Sequence, residues 1–228
     1  MIEDSPCTRI RKAPEHRRSR VLNDTEIRQL WSALDLNNKK MDIYRVSKLA
    51  LKLILLTGQR PGEVAGMTWS EVDEDNFWNI PAERMKNGEP NRVPLNRMAL
   101  DVINTARFYS GDRPHVFVSS YKPDKQMTRH ALTRAVARHW AEMGINEKFT
   151  PHDLRRTMRT RLAEIGVPDI IAERVLGHKL QGVMAVYNRH SYDQEKREAL
   201  LKWEARLLEI IGGTEASNVI RLEAYHAK

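Results

Sequence analysis

Cysteine is nearly absent from this chain: 228 residues contain one, Cys7. A single thiol excludes a disulfide framework within the chain and suits a reducing, cytoplasmic setting. Cys7 has no nearby partner ligands, so it is assigned no metal role. Long apolar runs are missing too. The run around Leu53 is too short to span a bilayer and carries Lys52. No N-terminal segment has the layout of a signal peptide, so no membrane partner is expected. No group of Asp and Glu shows metal-site spacing, which disfavours a metal-dependent nuclease and leaves no cofactor to assign. Repeats and low-complexity tracts are also lacking. Acid is the scarcer charge, with 30 Asp and Glu against 38 Lys and Arg, a net +8. A basic balance of this size favours a polyanion partner, nucleic acid first among them.

What is present is enough for a folded domain: 41% of residues are hydrophobic and 30% charged. Residues 1–20 carry Pro6, Pro14 and six Lys or Arg from Arg9 to Arg20, without apolar periodicity, and read as a basic flexible linker. Residues 21–212 read as one ordered domain, and 213–228 as a short frayed tail. Asn23 or Asp24 caps a predicted helix to about Leu36, with Asn23 and Glu26 at capping-box spacing. A second helix runs from about Met41 to Leu56 and stops at Gly58; Pro61 opens another. Residues 72–95 read as a small antiparallel sheet of two or three strands, with Asn87-Gly88 as a hairpin signal. Helices follow over 96–109, 128–143, 151–165, 168–176 and 193–211. The class is mainly α with a small antiparallel β-sheet (α+β).

Five short segments carry chemistry. In TPHDLRRT, Thr150, Pro151 and Asp153 open a helix, and His152 and Arg155 share a face of its first turn. A phosphate there would meet an imidazole, a guanidinium and the positive end of a helix. In TGQRPGE, Arg60 lies in a turn, where a guanidinium can fork onto two phosphate oxygens, and Glu63 can orient it. In ERMKNGEPNRVPL, Lys86 sits at the hairpin turn. A lysine is ordinarily protonated at neutral pH and can give a proton to a leaving oxygen. His178 follows Leu176-Gly177. Tyr187 comes nine residues later, with Tyr192 as a rival five residues on. Each signal alone has a plainer explanation: a surface ion pair, an exposed turn lysine, a structural histidine, a core tyrosine. Their weight lies in the set. A tyrosine hydroxyl titrates near pH ~10, so it needs cations and a base to attack a phosphodiester.

The stretches LTGQRPGEVAGMTWSEVD, WNIPAERMKNGEPNRVPL, TPHDLRRTMRTRLAEIGVP and ERVLGHKLQGVMAVYNRHSY resemble the catalytic domain of tyrosine recombinases, the phage integrase family, in its prophage and genomic-island form. The resemblance implies that Arg60 and Arg155 clamp the phosphate. It makes Lys86 the general acid and His152 the helper in proton transfer. His178 would bond the scissile phosphate, and Tyr187 would form a 3′-phosphotyrosyl intermediate. It selects Tyr187 over Tyr192 and gives Glu63 a supporting part. The implied partner is double-stranded DNA, bound by a homo-tetramer on paired sites with accessory DNA-bending proteins. No metal and no cofactor are implied. Such proteins carry N-terminal DNA-binding domains, so a fragment of a longer integrase is expected. The competing functions are a non-catalytic DNA-binding regulator derived from an integrase and a type IB topoisomerase-like relaxing enzyme. Whether helix 193–211 packs on its own core or on a neighbour is open at this level.

Overall fold

A computed structural model describes residues 19–179 and 190–212. The expected linker up to residue 18, the tail from 213, and Tyr187 lie outside the described residues.

Helix α1, Asp24–Ala33, begins where Asn23 Oδ1 accepts the Glu26 N–H at 2.9 Å and Glu26 Oε2 accepts the Asn23 N–H at 3.0 Å. Its inner face is Ile27 and Leu30, and the buried Leu34 closes it three residues or so before the expected end. Helix α2, Arg45–Thr57, is buried along nearly its whole length and is the central element, against which the next four α-helices and the C-terminal helix pack. Its two lysines do not reach into the core unpaired. Lys48 Nζ donates to the carbonyls of Asp35 and Asn38 at 3.0 Å each, which closes the α1–α2 loop. Lys52 stands 4.5 Å from the centre of the Trp31 ring. Gly58 ends α2 with φ +66°, and Pro61 starts the short α3, Pro61–Ala65.

The sheet has two antiparallel strands among the described residues, β1 Phe77–Ile80 and β2 Asn91–Pro94, in register from Phe77–Pro94 to Ile80–Asn91. A lone bridge, Val72 with Trp78, adds the expected third contact. The tight Asn-Gly hairpin is not what connects the strands; residues 81–90 form a longer loop. Pro81 and Pro90 stand where the next ladder pair would be. Neither has an N–H to donate, so the pairing stops. A 3₁₀ turn, Ala82–Arg84, follows, and then a four-residue turn in which the Gly88 N–H bonds the Met85 carbonyl at 3.0 Å. Lys86 and Asn87 are its two central residues.

The remaining helices are α4 Arg97–Ser110, α5 Arg129–His139, α6 Pro151–Glu164, α7 Asp169–Val175 and α8 Asp193–Gly212. Asn96 and Thr128 cap α4 and α5 as expected, with side-chain oxygens accepting from Ala99 at 2.9 Å and Ala131 at 3.3 Å. Helix α5 stops at His139, short of the expected 143, and turns continue to Gly144 at φ +80°. Helix α8 packs on its own chain. Trp203 is fully buried, its Nε1–H bonds the Leu55 carbonyl at 2.9 Å, and Ala199, Leu200, Leu207 and Ile210 face the same core. Leu201 and Leu208 point outward, about half exposed. Among the described residues no helix is long and apolar enough to cross a membrane.

Candidate active site

Three helix ends converge on Arg155. It lies on the first turns of α6 and is 4% exposed, buried by the close approach of α2 and α7 to that helix. Its Nη1 donates to the Gly58 carbonyl at the end of α2 at 2.8 Å. Its Nη2 donates to the Leu176 carbonyl at the end of α7 at 3.0 Å. Both carbonyls belong to helix C-termini, where the backbone dipole favours a cation. Among the described residues no carboxylate lies within ion-pair distance of Arg155, whereas Arg60, Arg84, Arg92, Arg159 and Arg161 all have one. The guanidinium is thus held in place by dipoles, and its formal charge is not cancelled by an acid. Burial, then the neighbouring Arg60, push its pKa down to about 10, and Glu63 and Glu173 oppose that. It remains charged at neutral pH.

The loop LGH has a structural reason. Gly177 takes φ +67° at the end of α7, its N–H bonds the Arg174 carbonyl at 3.1 Å, and the His178 N–H bonds the Glu173 carbonyl at 2.9 Å. These two bonds form a Schellman motif. It folds His178 back beside Glu173, whose carboxylate meets His178 Nδ1. His178 Nε2 lies 2.8 Å from Arg155 Nη2. A guanidinium cannot accept a hydrogen bond, so Nε2 is the acceptor and Nδ1 carries the proton toward Glu173. Arg159 Nε holds the other oxygen of Glu173 at 2.7 Å. Burial raises the Glu173 carboxyl, but the hydrogen bonds from His178 and Arg159 outweigh it and keep the pKa below the usual carboxylate range.

Arg60 precedes α3. Glu63, 3% exposed, accepts the Arg60 backbone N–H at 2.8 Å and its Nη1–H at 2.7 Å. The expected orienting role of Glu63 therefore has its geometry. Helix α6 is opened by Asp153 more than by Thr150. The Asp153 carboxylate accepts the Thr150 N–H at 2.9 Å and the Thr150 hydroxyl at 2.8 Å. His152 stands on the same turn, exposed at its tip. The protein around its ring disfavours the charged form, then Arg155, Arg156 and Arg60 add to this, and the pKa is lowered despite Asp153.

Arg60, Lys86 and His152 line one open cleft of about 750 Å³, with Arg129 and His130 from the start of α5 on its rim. Arg155 lies behind it, close enough for its charge to act on His152, and His178 is bonded to Arg155. The structure thus brings together five of the six expected catalytic side chains; the sixth, Tyr187, lies outside the described residues. Tyr192 is described. Its ring is buried in the core, 4.6 Å from that of His190 in an edge contact.

Some participants had escaped the sequence reading. Glu173 is one, although a helix stop at Gly177 is a signal that the residue after it folds back over the last turn. Gln59 is another. It is fully buried, donates to the carbonyls of Thr57 and Val175 at 2.8 Å each, and accepts from Asn91 at 3.2 Å, which ties α2, α7 and β2 together under the site. Nothing local marks it.

Among the described residues, a mainly helical frame with one small sheet carries a cleft of guanidinium, ammonium and imidazole groups, a lining suited to an anion. The comparisons with known proteins show the family and the fold. The family model described as "Phage integrase family" matches residues 20–194, and the chain belongs to that family. Prophage integrase IntA of Escherichia coli K12 is 35% identical over 156 residues, covering 68% of this chain and 37% of IntA. The integrase of Enterobacteria phage P4 is 30% identical, covering 72% of this chain and 40% of its own length. The chain thus spans about two fifths of these curated relatives. A lambda integrase tetramer bound to a Holliday junction shares the fold, with a TM-score of 0.58 at 22% identity over 81% of this chain and 52% of that one.

Proposed function

We propose that this chain is the catalytic part of a site-specific DNA recombinase that integrates or excises a prophage or genomic island. The observation that carries the reading is Arg155: a buried guanidinium, fixed by the carbonyls of two helix ends, with no carboxylate paired to it among the described residues. Five N–H donors leave such a group with capacity for a phosphate beyond its three bonds to the protein.

In this scheme Arg155 and Arg60 hold the non-bridging oxygens of the scissile phosphate; His178 bonds the phosphate from the side of α7 by releasing Arg155 and taking a proton on Nε2, its Nδ1–H staying with Glu173. Tyr187 attacks phosphorus. Its proton passes to His152, whose lowered pKa keeps it neutral and able to accept. A tyrosyl–phosphorus bond forms as the bond to the 5′ oxygen breaks, and Lys86 protonates that oxygen. The products are a 3′-phosphotyrosyl linkage and a free 5′-hydroxyl. Rejoining reverses the steps, so neither metal nor ATP is needed. Tyr192 is a poorer nucleophile on this reading because its ring is packed as a core residue.

The partner is double-stranded DNA. Helix α5 supports this: Arg129, His130, Thr133, Arg134 and Arg138 lie on its exposed face, and the helix contains no acid. As part of a longer integrase the domain would act in a homo-tetramer on paired sites, aided by DNA-bending proteins. Residues 1–20 would link it to an N-terminal portion, and 213–228 would follow the catalytic domain of 21–212.

The test is covalent capture. Nicked suicide duplexes with a randomised core are incubated with the chain, and mass spectrometry locates the modified residue. The expected outcome is a phosphotyrosyl peptide at Tyr187, formed equally well with a chelator present, and none with Tyr187→Phe. Capture that is unchanged in Tyr187→Phe rejects the nucleophile. Complete inhibition by the chelator rejects the metal-free scheme.

A further inference from the structure

Lys86 is exposed on the 81–90 loop, and nothing described holds its side chain. Its backbone is another matter. Two residues earlier, Arg84 turns inward. One arm of its guanidinium pairs with the carboxylate of Glu71 and the other donates to the backbone carbonyl of Glu63. Glu71 is itself fixed. It is 9% exposed and accepts the Trp78 Nε1–H at 2.9 Å and the Thr68 N–H at 3.2 Å. Glu63 is the residue that orients Arg60. Gly66 leaves room for the arrangement, because a Cβ there would stand 3.1 Å from Arg84 Nη2 and 3.0 Å from Gln126 Oε1. On the far side of Lys86, Asn87 Nδ2 donates to the Gly177 carbonyl at 2.9 Å, next to His178.

We propose that Arg84 is a positioning residue for the reaction: it anchors the loop that carries Lys86 to the carbonyl of Glu63, the residue that aligns Arg60. A forked guanidinium suits this because its planar, rigid donors point in fixed directions, one arm to a carboxylate and the other to a carbonyl. The lysine and the phosphate clamp are thereby held to one frame. The inference rests on the acid role of Lys86, and the experiment separates the two.

The probe is a nicked duplex of the sequence recovered by covalent capture, made with either oxygen or sulfur at the 5′ bridging position of the scissile bond. A thiolate leaves without prior protonation, so the sulfur substrate does not need the acid. Lys86→Ala should lose on the order of 100-fold or more in single-turnover cleavage of the oxygen substrate and regain the parent rate with sulfur. Arg84→Gln should show the same pattern with a smaller loss of about 10-fold, its DNA affinity and melting being followed in parallel. If Arg84→Gln does not fold, Arg84→Lys carries the same test, since it keeps the charge and loses the fork. Equal losses on oxygen and sulfur would make Arg84 merely structural and overturn the inference, as would no loss on either. Failure of sulfur to restore Lys86→Ala removes the acid role, and the inference falls with it.

Discussion

Arg155 and Lys86 belong to one candidate site but are held in opposite ways. Arg155 is 4% exposed and bonded to the carbonyls of Gly58 and Leu176, each the terminus of a packed helix. Lys86 is exposed at the centre of a turn and, among the described residues, held through its neighbours Arg84 and Asn87. The contrast follows from what each must do. A group that stabilises a transition state works best when it needs no rearrangement, which favours a buried, preorganised guanidinium. A group that delivers a proton must approach a leaving atom whose position depends on the bound DNA, which favours a loop. On the proposed reading, the molecule builds its clamp into the core and places its acid at the edge.

Breaking the rigid side should have the largest effect. Arg155→Lys keeps a cation but loses the fork and at least one of its two carbonyl bonds. Cleavage of captured duplex should fall on the order of 100- to 1,000-fold in a single-turnover assay. A change of less than about 10-fold would place the clamp elsewhere. Gly58→Ala attacks the same side through the backbone. It puts a side chain at φ +66° and a Cβ 2.8 Å from both Leu176 Cδ2 and Met158 Sδ. A stability loss of roughly 1–3 kcal/mol is expected in denaturant melts.

Glu173→Gln sharpens the comparison, because it changes the support of His178 without touching the cleft. The weaker acceptor should lower cleavage by about 10-fold, comparable to one hydrogen bond to a charged group, with DNA affinity unchanged in a filter-binding measurement. The pH profile comes next. Burial, followed by Arg155, Arg156 and Arg60, lowers the pKa of His152. Its charged form is disfavoured, so the neutral base persists to lower pH. Cleavage should rise with pH through a midpoint below the ordinary histidine value of ~6.5, and His152→Gln should remove that limb of the profile. The smallest effect belongs to the outer face of α8. Leu208, 50% exposed, should tolerate serine with a stability change within about 0.5 kcal/mol. Loss of folding there would mean that α8 depends on more than its own core.

Much of the helical layout is local chemistry and was legible as such. Asn23 with Glu26, Asn96, Thr128, Gly58 and Gly177 start or stop helices through short-range hydrogen bonds and backbone dihedrals that neighbouring residues specify. The reach of α5 and the shape of the β1–β2 connection were not read correctly. The Asn-Gly pair does make a turn, but Pro81 and Pro90 end the ladder first, and Met85 of the loop is buried. The residue types of the candidate site could be read from their order and spacing, because the proposed metal-free phosphate chemistry calls for cations, a proton acceptor and a nucleophile.

Composition and motif order by themselves determined the net positive charge, the family and the mainly α architecture. Only the tertiary structure decided that α8 packs on its own chain, that Glu173 sets the tautomer of His178, and that Arg155 is held, among the described residues, by carbonyls and not by an acid. The reason is distance along the chain. Arg155 meets Gly58 across 97 residues and Leu176 across 21, and Trp203 meets Leu55 across 148. No local propensity encodes which helix end will face which side chain; that is settled when the apolar faces pack around α2 and bring the three helix ends to one point.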